Sequence, residues 1–337
     1  MNIEHLITPF KLGKPVLEPT GIEGSFRSHA VDCPTVFRHN NSFYMMYVGF
    51  DGKGYQTGLA YSDDLVNWND LGSILKRGTN QKWDSVGMAG TSLLMDNDLY
   101  GPKTLKKYNG KYWMAYHAYP DYGYEAGSAS IGLCYTEDES LMTWNFVGEP
   151  VFSYKDGGAW EIGGLYKCWI MEHDELFYLF YNAKNQDNKE GLWIEQTGMA
   201  TSSDLLNWTR CDKNPILPVT SGAWDSMFAS DPMVAYDSKE KQWVMFYFGL
   251  GNCSACEGIA VSDDLIKWEK FPSAILTIGG EGTVDSIYAH KPAVIYHDGS
   301  LYHFYCSCRP SKKGDIAENF GMFRCITVAR THPWPEQ

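Results

Sequence analysis

Apolar and polar positions alternate along this chain in short runs of seven to ten residues, broken by Gly, Asp, Asn and Pro. That is strand-and-turn chemistry, and no long segment has helical periodicity. Three phrases recur in a fixed order. An aromatic run appears as "SFYMMYVG", "KYWMAYHA", "LFYLFYNA", "QWVMFYFG" and "LYHFYCS", with its last Tyr at Tyr47, Tyr116, Tyr181, Tyr247 and Tyr305. A second phrase ends in Trp68, Trp144, Trp208 and Trp268. A third is an apolar pair after a turn: Ile74-Leu75, Val151-Phe152, Ile216-Leu217 and Ile275-Leu276. The five Tyr are 69, 65, 66 and 58 residues apart, about the length of a four-stranded propeller blade.

This pattern predicts an all-β fold: one five-bladed β-propeller of four-stranded antiparallel blades spanning residues 1–337. The fifth repeat lacks its outer strand. "KPVLEP" (14–19) copies the third phrase at the other end of the chain. The N-terminal strand is therefore expected to close the last blade and cover its open edge.

Composition narrows the partners. Among 337 residues the formal net charge is −13, which argues against nucleic acid. No run approaches a membrane span, and the N-terminus lacks the pattern of a secretory signal, so a cytoplasmic protein is expected. The 9 Cys are odd in number. Cys253 and Cys256 form a lone C-x-x-C and Cys306 and Cys308 a C-x-C. Without a second matched pair these read as reduced thiols rather than a zinc site. The 12 Trp and 22 Tyr suit both a β core and a sugar cleft.

Candidate chemistry sits where the repeat departs from itself. The inner-strand starts are read as "AVDCPTVF", "LYGPKTLK", "GLYKCWIM", "ASDPMVAY" and "AHKPAVIY". They bring Asp32, Lys103, Lys167, Asp231, His290 and Lys291 toward one mouth, and His29 lies just ahead of the first. A "W-D-S"-like phrase upstream adds Asp84, Glu161, Asp225 and Asp285, with Trp83, Trp160 and Trp224 beside them. Because these acids recur, bracing a turn or a neighbouring blade is the first reading for Asp84 and Asp285. Glu161 is the one Glu of the set and has the reach to enter the mouth. The Trp side chains are either blade packing or sugar platforms. The segments 118–128 and 182–196 are expected to form pocket walls.

On these residues the chain resembles the five-bladed propeller glycosidases, the group containing glycoside hydrolase families 43, 32, 68, 117 and 130. The resemblance spans essentially the whole chain. It implies that Asp32 in "VDCP" is the general base. Lys103 stands where family 43 carries its second acid, and Glu161 is the nearest acid to the blade-three general acid. "SDP" at Asp231 resembles an acid–Pro motif of these families but stands in blade four. The implied activity is an exo-acting glycoside hydrolase on an oligosaccharide, with Asp32 as base, Glu161 as acid and Asp231 tuning the acid, by one inverting displacement. His29, Asp84, Lys103, Trp160, Lys167, Trp224, Asp225, Asp285, His290 and Lys291 are the expected sugar contacts. Lys103, Lys167 and Lys291 also suit an anion, so a phosphorylase or transglycosidase stays open, as does a non-catalytic sugar-binding propeller. No cofactor is expected. Some related propellers hold an axial calcium, for which His290 is the one candidate.

Overall fold

The computed structural model describes residues 3–78, 83–186, 191–251 and 255–335. Cys253 of the C-x-x-C and residues 187–190 of the expected wall lie outside them. The chain is all-β and propeller-like. One antiparallel meander comprises Ala30–His39, Ser42–Phe50, Tyr55–Ser62 and Asn69–Leu75. The next comprises Gly87–Leu93, Lys111–Tyr119, Ser130–Thr136 and Asn145–Phe146. An eight-stranded sheet covers 164–270 and consists of two further meanders. They are joined where Glu195 and Gln196 run parallel to Phe228 and Ala229. The last sheet pairs Tyr288–His297, Ser300–Pro310 and Met322–Arg330 with the N-terminal strand Phe10–Lys11. Leu17 of "KPVLEP" also bridges Ile326.

The first strands of these units touch in a circuit. Ala30–His39 contacts both Gly87–Leu93 and Tyr288–His297, and Gly164–His173 and Phe228–Asp237 complete the round. Each aromatic run is the second strand of its unit, and its Tyr is buried: Tyr47, Tyr116, Tyr181, Tyr247 and Tyr305 are at most 1 % exposed. No helix of the described residues is long and apolar enough to cross a membrane.

The reading of the second unit needs correction. Its first strand is the small-residue run "GMAGTSL" (87–93), paired with Lys111–Tyr119, and not "LYGPKTLK". Without aromatic or β-branched residues that run gave no strand signal. Lys103 belongs to the excursion between those two strands and is fully buried near Asp96 and Asp98. Burial pushes its amine down to about 8, against those two acids.

The repeated acids have a common structural use. Tyr116, Tyr247 and Tyr305 donate their hydroxyls to Asp84, Asp225 and Asp285 at 3.4, 3.1 and 3.0 Å. Lys270 and Lys11 reach Asp225 and Asp285 at 2.6 Å. Trp83, Trp160 and Trp224 stack on Tyr116, Tyr181 and Tyr247 with centroids 5.5, 5.9 and 5.6 Å apart. Gly132, Gly198 and Gly258 lie beneath these rings, where a Cβ would approach the Tyr or Trp to 2.5–2.7 Å. The phrase is therefore a blade-packing unit: an indole wedge, a buried phenol and an acid that takes the phenol's proton bond. Asp84, Asp225, Asp285, Trp160 and Trp224 are not among the residues lining the site described below.

Candidate active site

One cavity of about 210 Å³ opens where the first strands converge. Lys167, Asp231, His290 and Lys291 line it as expected, and the segments 118–128 and 182–196 supply walls. A β-bulge in each of three first strands sets this up. Cys33, Asp231 and Lys291 sit at the bulges with φ of 46°, 53° and 65°. That left-handed backbone turns each side chain toward the axis and is sparsely populated by non-glycine residues. A Pro follows each of the three.

Register explains why Asp32 is not a cavity wall. Counted from the Pro, Cys33 is the counterpart of Asp231 and Lys291, and Asp32 is one residue earlier. It lies beneath the cavity with no exposed surface. Its Oδ2 accepts from Tyr124 at 2.7 Å, Lys291 at 2.9 Å, Tyr55 at 3.1 Å and Arg324 at 3.2 Å. Its Oδ1 accepts from the Cys33 N–H at 2.8 Å. Burial alone would raise its pKa, but Lys291 and Arg324 hold it well below the usual carboxylate range. A carboxylate so saturated with donors is a weak base. It serves as the buried counterion that fixes Lys291, Arg324 and Tyr124.

Glu161 is also corrected. It is 1 % exposed and absent from the cavity. Its Oε1 accepts from Arg210 Nε at 2.8 Å and from the Gly158 N–H at 3.1 Å. The longer side chain reaches Arg210 of the neighbouring outer strand, and it serves the same packing unit as its Asp counterparts. His29 lies in a separate cavity next door, its ring 6.2 Å edge-on to Phe50.

The acids that do face the cavity are Asp231, Glu195 and Glu125. Glu195 is 4 % exposed. Its Oε1 accepts from the Trp193 indole at 2.7 Å, and its Oε2 from Asn182 at 2.9 Å and Ser230 at 3.1 Å. Asn182 Nδ2 also donates to Asp231 Oδ1 at 3.1 Å. Burial, with help from the Glu195 charge, pushes Asp231 up to about 7, against the pull of Lys291 and Lys167. Glu125 is paired with Lys291 at 3.0 Å and Lys184 at 3.6 Å. These lysines outweigh its desolvation and bring it down to about 2. Lys184 is also 3.7 Å from Glu195, and its ammonium lies over the Tyr166 ring at 3.9 Å. The site thus sets one carboxyl that holds a proton near neutrality beside others that are ionised. Acid–base chemistry needs this separation.

His290 donates Nδ1–H to the Cys306 carbonyl at 3.0 Å, so Nε2 accepts from Arg324 at 3.1 Å. Burial and the adjacent Arg324 bring it down to about 3, and it is neutral. His290, Cys306 and Cys308 hold their ligand atoms within 4.8 Å of one another. Arg324 already occupies the His nitrogen and sits 3.5 Å from Cys306 Sγ. Nitrogen and sulfur donors against a guanidinium do not suit calcium, which takes oxygen.

Glu125, Glu195, Asn182, Trp193, Tyr124 and Arg324 were not singled out from the sequence. Glu125 and Glu195 did fall in the two segments expected to form walls. The usable signal was the register of the second and third strands. Glu195 and Arg324 pair with Lys184 and Cys308, corresponding places in two units.

The sequence profile of the glycosyl hydrolases family 32 N-terminal domain matches residues 94–284. Among solved structures, one described as "Glycoside hydrolase" is 30% identical, with TM-score 0.83, covering 99% of this chain and 95% of its own. Another, described as a complex of BT0996 with RGII, is 30% identical with TM-score 0.82, covering 99% of this chain and 97% of its own. A thermostable family-43 glycoside hydrolase shares the fold at 18% identity and TM-score 0.63, covering 91% of this chain and 95% of its own. No curated protein matches in sequence.

Proposed function

The protein belongs to the family of the glycosyl hydrolases family 32 N-terminal domain and is a glycosidase; from that premise we propose that it is a five-bladed propeller hydrolase. It removes one terminal sugar from an oligosaccharide, with Glu195 and Asp231 as its working carboxyl pair. The carrying observation is Asn182, whose single amide nitrogen holds both acids, at 2.9 and 3.1 Å. Their nearest oxygens can be no further apart than those two bonds laid end to end. That is short of the roughly 6.5 Å an inverting pair needs, and near the ~5–5.5 Å of a retaining pair.

Glu195, fixed by Trp193, Asn182 and Ser230, is the nucleophile. It attacks the anomeric carbon as Asp231 gives its proton to the departing glycosidic oxygen. Asp231, now ionised, takes a proton from water, whose oxygen displaces Glu195 and releases the sugar. Two displacements give net retention, in place of the inverting step expected from Asp32 and Glu161. The protein's own carboxyls supply every proton and the covalent partner. A cavity of about 210 Å³ holds a single sugar ring, which supports terminal cleavage. A second assignment keeps Glu195 and makes Glu125 the proton donor. It is favoured by the 21% exposure of the Glu125 side chain on a wall segment.

The test is a panel of 4-nitrophenyl glycosides, together with oligosaccharides prepared from RGII, run with and without inorganic phosphate. The first-formed product is followed by proton NMR. Phosphate-independent release with retained configuration is expected. Inversion would remove the Glu195–Asp231 pair, phosphate-dependent turnover would make the protein a phosphorylase, and sugar binding without turnover would make it a binding protein.

A further inference from the structure

A second cavity abuts the first and shares Tyr124 with it. Its walls include Phe50, Phe320, His29 and Glu318. Phe50, Tyr124 and Phe320 form a triangle, with centroids 5.4, 5.4 and 5.6 Å apart. Phe50 is buried at the bottom of it, whereas Tyr124, Phe320 and His29 are only half-buried. His29 Nδ1 is engaged by Ser28 Oγ at 2.9 Å, and Nε2 faces Gly52. Any side chain at Gly52 would meet that ring at 3.2 Å, and Gly52 has φ +85°.

We infer that this second cavity is the subsite for the leaving-group sugar, the unit next to the scissile bond. The inference rests on the hydrolase reading of the first cavity. The common wall sets the order. Tyr124 bonds Asp32 beneath the first cavity through its hydroxyl and packs its ring on Phe50 and Phe320 in the second. A disaccharide unit with its terminal ring in the first cavity must place its next ring across Tyr124. Aromatic faces take the C–H face of a sugar, and polar groups at their edge take its hydroxyls. Here those groups are His29 Nε2 and the Glu318 carboxylate. The occupant is thus the neutral ring of the substrate itself. Phe320, on the short 3-10 turn Glu318–Phe320 between Ala317 (φ 54°) and Gly321 (φ 81°), closes the far side.

Binding and turnover separate this claim from the chemistry. Glu195→Gln removes turnover and leaves the cavities intact. Titration of RGII oligosaccharides into Glu195→Gln, and into Glu195→Gln carrying Phe320→Ala or His29→Ala, reads the subsite directly. Loss of one ring contact is expected to weaken binding about 5- to 10-fold. In the Glu195 enzyme, Phe320→Ala is expected to lower kcat/KM for an oligosaccharide more than for the matching 4-nitrophenyl glycoside. No binding of the RGII oligosaccharides, binding unchanged by both substitutions, or equal losses on both substrates would overturn the subsite. Absence of turnover by the Glu195 enzyme on every glycoside would instead remove the hydrolase reading.

Discussion

Glu195 and Asp231 accept hydrogen bonds from one nitrogen, Asn182 Nδ2. Asn182 stands in the second strand, Glu195 in the third, and Asp231 at the bulge of the next unit's first strand. Three elements thus meet on one amide, and its removal separates the functions of the two acids. Asn182→Ala is expected to lower kcat about 10- to 100-fold, with a smaller change in KM. A pre-steady-state and steady-state comparison checks it.

Asp231 sets the upper limb of the pH profile. As the proton donor it must be protonated, so kcat/KM is expected to fall as pH rises through about 7. Asp231→Asn is expected to abolish that limb and to spare activated leaving groups most. The same shift acts on stability. Between the unfolded carboxyl value and about 7 the folded state holds a proton that the unfolded chain has lost, so stability declines with rising pH across that window. Denaturant melts from pH 4 to 8, with and without Asp231→Asn, measure it.

Asp32→Asn is a stability variant before it is a catalytic one. It leaves Lys291 and Arg324 buried without their shared counterion. A loss of about 3–5 kcal/mol is expected, read as a shifted midpoint in urea. A normal midpoint with lost turnover would return Asp32 to the role of base.

Glu161→Gln is expected to behave oppositely to its sequence-based role. It weakens the Arg210 bond and the packing unit around Tyr181. The melting temperature should fall by a few degrees, with kcat near that of the parent. An active-site titration, which counts folded enzyme, separates the two effects.

Trp224→Ala should cost about 3–5 kcal/mol and leave KM unchanged. Its indole fills the space above Gly249 and Gly258 and stacks on Tyr247. A KM that rises with the substitution would make it a sugar platform instead.

The repeat made the sheets legible, because buried Tyr and turn residues recur in each unit. The second unit's first strand escaped, because "GMAGTSL" lacks the aromatic and β-branched residues that mark strands. The site was half legible. Lys167, Asp231, His290 and Lys291 stand at first-strand starts and were found there. Asp32 was placed one residue off, since a bulge shifts the inward direction and cannot be read from alternation alone. Glu161 was chosen for being unlike its Asp counterparts, but its extra methylene serves Arg210. Glu125 and Glu195 lie at wall segments whose path depends on tertiary packing, and neither has a local motif.

The pairing of Phe10–Lys11 with Met322–Arg330 has a bearing on biosynthesis. A strand that leaves the ribosome among the first must wait for one made nearly at the end. Closing so long a loop is entropically costly and comes late. Lys291 and Arg324 belong to that final sheet, so a nascent chain carries Asp231 and Glu195 long before it has their cationic surroundings. Catalytic competence is thereby tied to complete translation, and truncated products are left without it.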